Sequence, residues 1–169
     1  MGQTSYNFQT ALSFPGAIFD LAPKQIVSRV VDDIMKVGQV RFGMGVYQGA
    51  NPGKNVIVPD VTAIDTYEGV VVNGLVTEHG WVEGEVNVRP GTVVGIMRYG
   101  VVCVLIDQTL LTAPAYNDDL YLVTAGNEAG RFTNEPTGNT AVKGRFLGQT
   151  GKLGDSGYSI IELFNQAQV

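Results

Sequence analysis

The residues best suited to chemistry in this chain are a serine, a histidine and two aspartates. Ser156 lies in the stretch Gly154-Asp155-Ser156-Gly157, and His79 and then Asp107 or Asp118 precede it. A serine hydroxyl becomes a nucleophile when a histidine takes its proton and an aspartate orients that histidine. The chain therefore contains every side-chain type that hydrolysis through an acyl intermediate requires.

The stretch around Ser156 resembles the nucleophile loop of chymotrypsin-type serine proteases, and the order His, Asp, Ser is the order of that family. Two features depart from it. His79 lies in the polar, turn-like stretch 77–81, and Tyr158 stands where the family usually has a second glycine. Glycine, aspartate and serine are also common turn residues. We therefore interpret residues 154–157 as a turn and predict that the chain has no catalytic residue.

Metal and cofactor sites are not indicated by the sequence either. One histidine and one cysteine cannot form a zinc site without carboxylates. The pairs Asp32-Asp33 and Asp118-Asp119 are adjacent, so in a strand their side chains would point to opposite faces. Calcium bound in the loop 117–119 stays an alternative. No glycine-rich phosphate loop occurs, and we expect no cofactor.

The amino-acid composition argues against nucleic acids and membranes as partners. The formal net charge of −5 argues against a nucleic-acid binder, which needs a basic surface to neutralise phosphates. No run of 18 apolar residues occurs, so we expect no membrane span. The first ten residues lack the charged and apolar regions of a signal peptide. The single Cys103 sits in an apolar run, which predicts a buried thiol and synthesis in a reducing cytosol.

Charged residues make up only 16% of the chain, whereas 44% are hydrophobic. The charged share of an average soluble domain is roughly 25%. A chain with so few charges can solvate little free surface. We therefore expect much of its surface to be covered by partner proteins.

Short, β-branched runs separated by Gly, Pro and Asn predict an all-β fold, an antiparallel β-barrel or β-sandwich. Only residues 26–36 have a helical alternative. Asn73-Gly74 predicts a hairpin turn. The predicted strands cover residues 26–33, 40–48, 56–58, 67–72, 75–77, 81–88, 92–97, 101–106, 120–124, 131–133, 141–149 and 158–164.

We predict that the first 24 residues form an extended N-terminal arm and that residues 25–169 form a β domain. Large apolar side chains recur there between polar ones, without one helical or strand period. Such side chains promote aggregation when a free monomer exposes them, but they are buried when the arm docks on a neighbouring subunit. Packing of the arm on its own domain stays the alternative. The predicted partner contacts are Tyr6, Phe8, Leu12, Phe14, Ile18 and Phe19.

The order of motifs along most of the chain, residues 5–165, resembles the structural cement proteins of tailed-phage heads. The N-terminal half carries SRVVDD at 28–33, GQVRFGMGV at 38–46 and GVVV at 69–72. The C-terminal half carries a strand-rich run at 92–106, a D-x-L-Y entry at 118–121, a G-x-F-T hairpin at 130–133, GRFL at 144–147 and GYSIIEL at 157–163. The matches are turn glycines and apolar alternation.

This resemblance implies a β-barrel or β-sandwich on the capsid exterior, bound between major-capsid subunits of the expanded head and stabilising it. It implies a homodimer or homotrimer that is made in the host cytoplasm and extends its termini onto neighbours. It carries over no catalytic residue, cofactor, nucleic acid or membrane partner. The loops at 51–55 and 134–139 are further, weaker candidates for contact.

Three alternatives remain open from the sequence. A receptor- or carbohydrate-binding module of a virion fibre would use aromatic side chains gathered on one face, namely Tyr47, Tyr67, Trp81, Tyr99 and Tyr116. A small chymotrypsin-like protease would react at Ser156 with a fluorophosphonate. A tail-tube or neck protein would assemble as rings or stacked tubes.

Overall fold

The computed structural model describes residues 13–59, 66–74, 79–82, 85–110, 112–153 and 156–165. For residues 79–82, 85–87 and 153 only the backbone is described. No helix occurs in these ranges, and the predicted all-β class is confirmed. The strands are β1 Gln25–Val31, β2 Gly45–Gln48, β3 Asn55–Ile57, β4 Tyr67–Val72, β5 His79–Val82, β6 Glu85–Val88, β7 Val93–Leu105, β8 Tyr116–Val123, β9 Phe132–Thr133, β10 Asn139–Leu153 and β11 Ser156–Leu163.

Five strands close into a barrel. Their order is β1-β3-β2-β4-β7, and β1 returns to pair with β7 over Gln25 to Val30. The pairing of β1 with β3 is parallel and covers only two residue pairs, Val30 with Asn55 and Val31 with Val56. The barrel is therefore closed by a long contact on one side of β1 and a short one on the other.

The long strand β7 joins the barrel to a second sheet. Its first half pairs with β1 and β4, and its second half pairs with β11 from Gly100 to Leu105. The sheet then continues in the order β11-β10-β8-β9. The separate hairpin of β5 and β6 contacts the barrel through Val88, whose N–H donates to the Val40 carbonyl.

Apolar side chains from both sheets form one continuous core. Valines and isoleucines of β2, β4 and the first half of β7 line the barrel. Phe132, Phe146 and Leu122 fill the space under the second sheet and are fully buried. A smaller cluster lies on the outer face of the second sheet and contains Val101, Cys103, Tyr158 and Ile160. Burial of this much β-branched surface is the main term that stabilises the fold.

The prediction of two strands at 92–97 and 101–106 was wrong, because a single strand runs through Arg98-Tyr99-Gly100. Those residues favour a turn locally, but each half of β7 finds a different partner strand and the chain does not reverse. Gly100 provides the bend between the halves, with φ of 125°. Tertiary pairing has overridden local turn chemistry here.

The prediction of one strand at 81–88 was also wrong. That stretch belongs to the β5–β6 hairpin, in which Trp81 pairs with Val86 and Val82 with Glu85. Period-two alternation looks the same in a hairpin with a two-residue connection as in one strand. The loop that we expected at 117–119 lies inside β8, where Asn117 is a single irregular residue with φ of 70°.

The strand predicted at 40–48 was right only for its second half, because β2 covers Gly45–Gln48 and residues 40–43 form a bend, a single bridge and a turn. The other strand predictions overlap strands of the structure or lie outside the described residues. Residues 67–72 are β4, and residues 26–33 contain most of β1 rather than the helical alternative. The predicted return strand at 75–77 lies outside the described residues. Both edges of β4 are already paired, with β2 and β7.

Candidate functional site

The leading strip, which we define as residues 14–21, lies along β7. The Gly16 N–H donates to the Cys103 carbonyl at 2.8 Å, and the Cys103 N–H donates to the Ala17 carbonyl at 2.9 Å. The Phe19 N–H donates to the Val101 carbonyl at 3.1 Å, and Ile18 forms an antiparallel bridge with Val102. Because the N–H and C=O of Cys103 both point to the strip, β11 must lie on the opposite edge of β7. The leading strip therefore adds one short, strand-like segment to the edge of β7 in the second sheet.

A close crossing of two chain segments fixes where the strip enters. Gly16 has φ of 84°, and a Cβ there would lie 2.7 Å from Phe42 Cβ and 2.9 Å from the Asn73 nitrogen. The Asn73 N–H donates to the Gly16 carbonyl at 2.8 Å. Only glycine suits both the left-handed conformation and this spacing. The start of the strip is consequently held by the residue that follows β4 as well as by β7.

The leading strip is fixed in its backbone but exposed in its side chains. Phe14 is 51% exposed, Ile18 39%, Phe19 37% and Leu21 97%. Ala17 alone packs on the outer cluster of the second sheet. The Asp20 carboxylate accepts from the Ala22 N–H at 3.0 Å and stabilises the bend that follows. The strip therefore exposes several large apolar side chains to solvent, where a partner can cover them.

The structure brings together three of the six predicted contact residues, Phe14, Ile18 and Phe19. The other three, Tyr6, Phe8 and Leu12, lie outside the described residues. Leu21 is the most exposed large apolar side chain described and was not predicted. The only available sequence signal for it was its position between the polar Asp20 and Ala22-Pro23.

Cys103 of β7 pairs with the strip through its backbone, and its thiol is buried, as the sequence predicted. Burial raises the pKa of this thiol to about 11, and a hydrogen bond with Ser13 opposes that rise only partly. A thiol with such a pKa is protonated at neutral pH and is a poor nucleophile. Cys103 therefore packs as a small hydrophobic side chain.

A buried carboxylate ties four barrel strands together. Glu68 of β4 is 1% exposed and accepts from Arg29 of β1 at 2.6 Å and from Arg98 of β7 at 2.5 Å. Its second oxygen accepts from Gln48 of β2 at 3.0 Å. The arginine side chains are 14% and 25% exposed. A carboxylate saturated by fixed donors in this way serves the barrel's structure rather than proton transfer.

The described side chains show no triad of the protease alternative, and they do not include that of His79. Ser156 begins β11 opposite Leu153, whereas His79 is in β5 of a different sheet. The Asp107 carboxylate already accepts from the Thr109 N–H and hydroxyl, both at 2.8 Å. Asp118 accepts from the Ala115 N–H at 2.8 Å and from Asn134 at 2.9 Å. No hydrogen bond among the described contacts joins Ser156 to either aspartate.

The aromatic residues of the carbohydrate alternative do not share one face. Tyr47 is 2% exposed and donates to the Thr140 hydroxyl at 2.8 Å. The Tyr67 hydroxyl is also buried, and this burial raises its pKa above the usual value. Tyr99 and Tyr116 are exposed but lie on β7 and β8, at different places in the sheet. The side chain of Trp81 lies outside the description.

Acidic side chains do not gather into a metal site within the described ranges, where no group of three or more His, Cys, Asp or Glu could hold an ion. Asp32 is buried and accepts from Asn55 at 3.0 Å and from the Ile34 N–H at 3.2 Å. The hydrogen bond from Asn55 is the main reason why the pKa of Asp32 is lowered. Asp32 therefore stabilises the turn after β1.

A cation–aromatic cluster lies on the second sheet. The Arg145 guanidinium stands 5.6 Å from the centre of the Tyr116 ring and 5.9 Å from that of Phe164. The same guanidinium pairs with Glu162 at 2.8 Å. These side chains are all partly exposed, so the cluster contributes little to stability and leaves aromatic surface open.

The described residues combine a closed five-strand barrel, a second sheet and an exposed apolar strip along the edge of that sheet. No helix in the described ranges is long and apolar enough to span a membrane. A family model described as "Structural cement protein (E217 gp24/Pam3 gp6)" matches residues 2–163. The chain belongs to this family of bacteriophage structural proteins, and it is a capsid-associated protein of the virion.

Comparison with solved structures agrees with this assignment at the level of the fold. The chain is similar to a chain in the structure titled "The capsid of Myoviridae Phage XM1", with a TM-score of 0.68 and 18% sequence identity. The alignment covers 99% of each chain. A search of curated proteins found no match.

Proposed function

We propose that the chain binds the outer surface of a phage capsid between major-capsid subunits and stabilises the expanded head. It acts there as a small homo-oligomer, a dimer or a trimer, after synthesis in the host cytoplasm. It needs no catalysis, and it binds neither nucleic acid nor membrane. Membership of the cement family supports the capsid as partner.

One observation carries the proposal, namely the exposure of an apolar strip whose backbone is fixed. Backbone hydrogen bonds to Val101 and Cys103 hold the strip in one conformation before binding. A pre-formed strip loses little conformational entropy when it is covered, so more of the gain from apolar burial appears as affinity. Repetition over the shell then multiplies a modest affinity per copy.

The predicted arm residues Tyr6, Phe8 and Leu12 extend this contact in the proposal. They precede the strip in the chain and are large apolar residues like those of the strip. The exposed loops at 51–55 and 134–139 are secondary candidates, because polar loops add hydrogen bonds and specificity rather than apolar burial.

We predict that replacing Phe14 and Phe19 by serine weakens binding to expanded heads about 30-fold. Each side chain is roughly half exposed, and burial of the exposed parts contributes about 2 kcal/mol in total. The measurement is co-sedimentation of purified protein with expanded shells of the major capsid protein. Fold retention is checked by circular dichroism.

The matched control is Tyr116→Ser, which removes an equally large exposed aromatic from β8, away from the strip. This variant is expected to sediment with heads like the wild type. Binding of the double variant at wild-type strength would show that the leading strip is not the capsid contact.

A further inference from the structure

The buried cluster at Glu68 contains more positive than negative charge. The Oε1 atom of Glu68 accepts from Arg29 Nε at 2.6 Å and from Arg98 Nη2 at 2.5 Å. Gln48, which donates to the other oxygen, is neutral. No other carboxylate of the described residues forms an ion pair with either arginine. Two guanidinium charges therefore share one carboxylate, and the described part of the cluster has an excess of one positive charge.

The two guanidinium groups of this cluster are close together. Both contact the same oxygen atom, so Arg29 Nε and Arg98 Nη2 lie no more than about 5 Å apart. Like charges at this distance repel each other, and the repulsion is stronger where protein excludes water. The two side chains are only 14% and 25% exposed, so water screens them in part. An anion that contacts both groups relieves this repulsion.

Three guanidinium nitrogens of the cluster have no hydrogen-bond partner among the described residues, namely Arg29 Nη2, Arg98 Nε and Arg98 Nη1. None of the three is sealed inside the protein, because the buried side-chain polar atoms without a partner in the described ranges are Tyr67 Oη and Asn134 Oδ1. Their N–H groups therefore reach solvent beside a buried ion pair. The planar fork of guanidinium donors matches the oxygens of carboxylate, sulfate and phosphate.

Arg145 on the second sheet shows how a balanced arginine differs. Its Nε and Nη2 both donate to Glu162 at 2.8 Å, and its Nη1 donates to Asn117 at 3.2 Å. All three of its nitrogens have a partner, and one carboxylate balances one guanidinium. Of the described ion pairs, only those at Glu68 bring two arginines onto one carboxylate. The excess charge and the unused donors are thus particular to the Glu68 cluster within the described residues.

We propose that Arg29 and Arg98 form a binding site for an oxyanion on the solvent side of Glu68. The ligand is a carboxylate, sulfate or phosphate group, whose oxygens accept from the unused guanidinium donors. It balances the excess charge while Glu68 keeps its place between the strands. A carboxylate side chain of a partner protein and a free anion offer the same chemistry. The site exists without a capsid and goes beyond the proposed function.

The test measures thermal unfolding of the full chain with and without inorganic sulfate at constant ionic strength. For a Kd of about 1 mM, sulfate at about 10 mM is expected to raise the Tm of the wild type by about 3 to 6 °C. Arg98→Gln removes the excess charge and leaves Arg29 paired with Glu68, so this variant is expected to fold. Its Tm should rise by less than about 1 °C with the same sulfate.

The matched control is Arg145→Gln, which also removes one positive charge, but from a balanced pair. Its response to sulfate should equal that of the wild type. Sulfate also stabilises proteins in general because it is excluded from their surface, and the control contains that contribution. A residue-level readout is the NMR signal of the Arg98 Nε–H group, assigned by its loss in Arg98→Gln. This signal should shift saturably with sulfate, whereas that of Arg145 should not.

Co-sedimentation with expanded heads distinguishes the two sources of the anion once sulfate binding is established. If a carboxylate of the capsid occupies the site on the head, Arg98→Gln should weaken head binding about tenfold, and sulfate should compete with the head for the wild type. If a free anion occupies it, Arg98→Gln should bind heads like the wild type, with and without sulfate. Either result supports the site and identifies its natural ligand class.

Equal rises in Tm for the wild type, Arg98→Gln and Arg145→Gln would overturn the site, because sulfate then acts on the protein surface in general. An Arg98 Nε–H signal that does not move with sulfate would overturn it too. A protein that binds heads but shows no sulfate response through Arg98 refutes the site and leaves the proposed function intact. A protein that responds to sulfate through Arg98 but ignores heads supports the site and refutes that function.

Discussion

Replacement of Glu68 by alanine is expected to destabilise the protein by about 3 to 5 kcal/mol. The carboxylate is 1% exposed and neutralises Arg29 and Arg98, which converge on it from two other strands. Its removal leaves two partly buried guanidinium groups without a counter-charge. An uncompensated buried charge lowers the free energy of unfolding strongly. Urea unfolding followed by circular dichroism measures the loss.

The matched control for this variant is Glu162→Ala. Glu162 also pairs with one arginine, Arg145, at 2.8 Å, but both side chains are about one third exposed. Such surface pairs contribute about 0 to 1 kcal/mol. Equal losses for the two variants would show that the cluster at Glu68 does not hold the barrel strands together.

Replacement of Gly69 by alanine is expected to cost about 3 kcal/mol or to prevent accumulation of folded protein. Gly69 has φ of 151°, where side chains other than hydrogen are strained. A Cβ there would also overlap the backbone carbonyl of Met97 in the adjoining strand β7. A backbone atom in a paired strand cannot move aside as a side chain can, so strain and overlap add. Thermal unfolding of purified variants measures the effect.

The variant Gly126→Ala separates the cost of the backbone conformation from the cost of the steric overlap. Gly126 also has a positive φ, of 77°, but nothing lies within 4 Å of the position of its Cβ. This variant is expected to lose only about 1 kcal/mol, from conformation alone. A Gly69→Ala protein as stable as Gly126→Ala would contradict the close approach of β4 and β7.

Strand β4 could be predicted from the sequence, whereas strand β7 could not. The run of three valines before Asn73-Gly74 is a strong local signal, and residues 67–72 are a strand in the structure. Around Gly100 the local signal predicts a turn, and only the positions of β1, β4 and β11 explain why the strand continues. Such partners are distant in the sequence, and local pattern contains no information about them.

The same difference applies to the candidate site. The large apolar residues Phe14, Ile18 and Phe19 stand out in the sequence, but their attachment to β7 depends on a pairing some 84 residues away, as between Ile18 and Val102. The role of Glu68 was not predicted, because its partners Arg29 and Arg98 are 39 and 30 residues distant. A lone carboxylate in a valine-rich run gives no sign of buried counter-charges.

The most direct test of the capsid assignment is a cryo-electron microscopy map of purified particles at side-chain resolution. The proposal predicts density for this chain on the outer surface of the shell, over junctions between major-capsid subunits, with residues 14–21 against the capsid. Density confined to the tail or the shell interior would contradict it. So would an external copy whose leading strip, with Phe14 and Leu21, faces solvent.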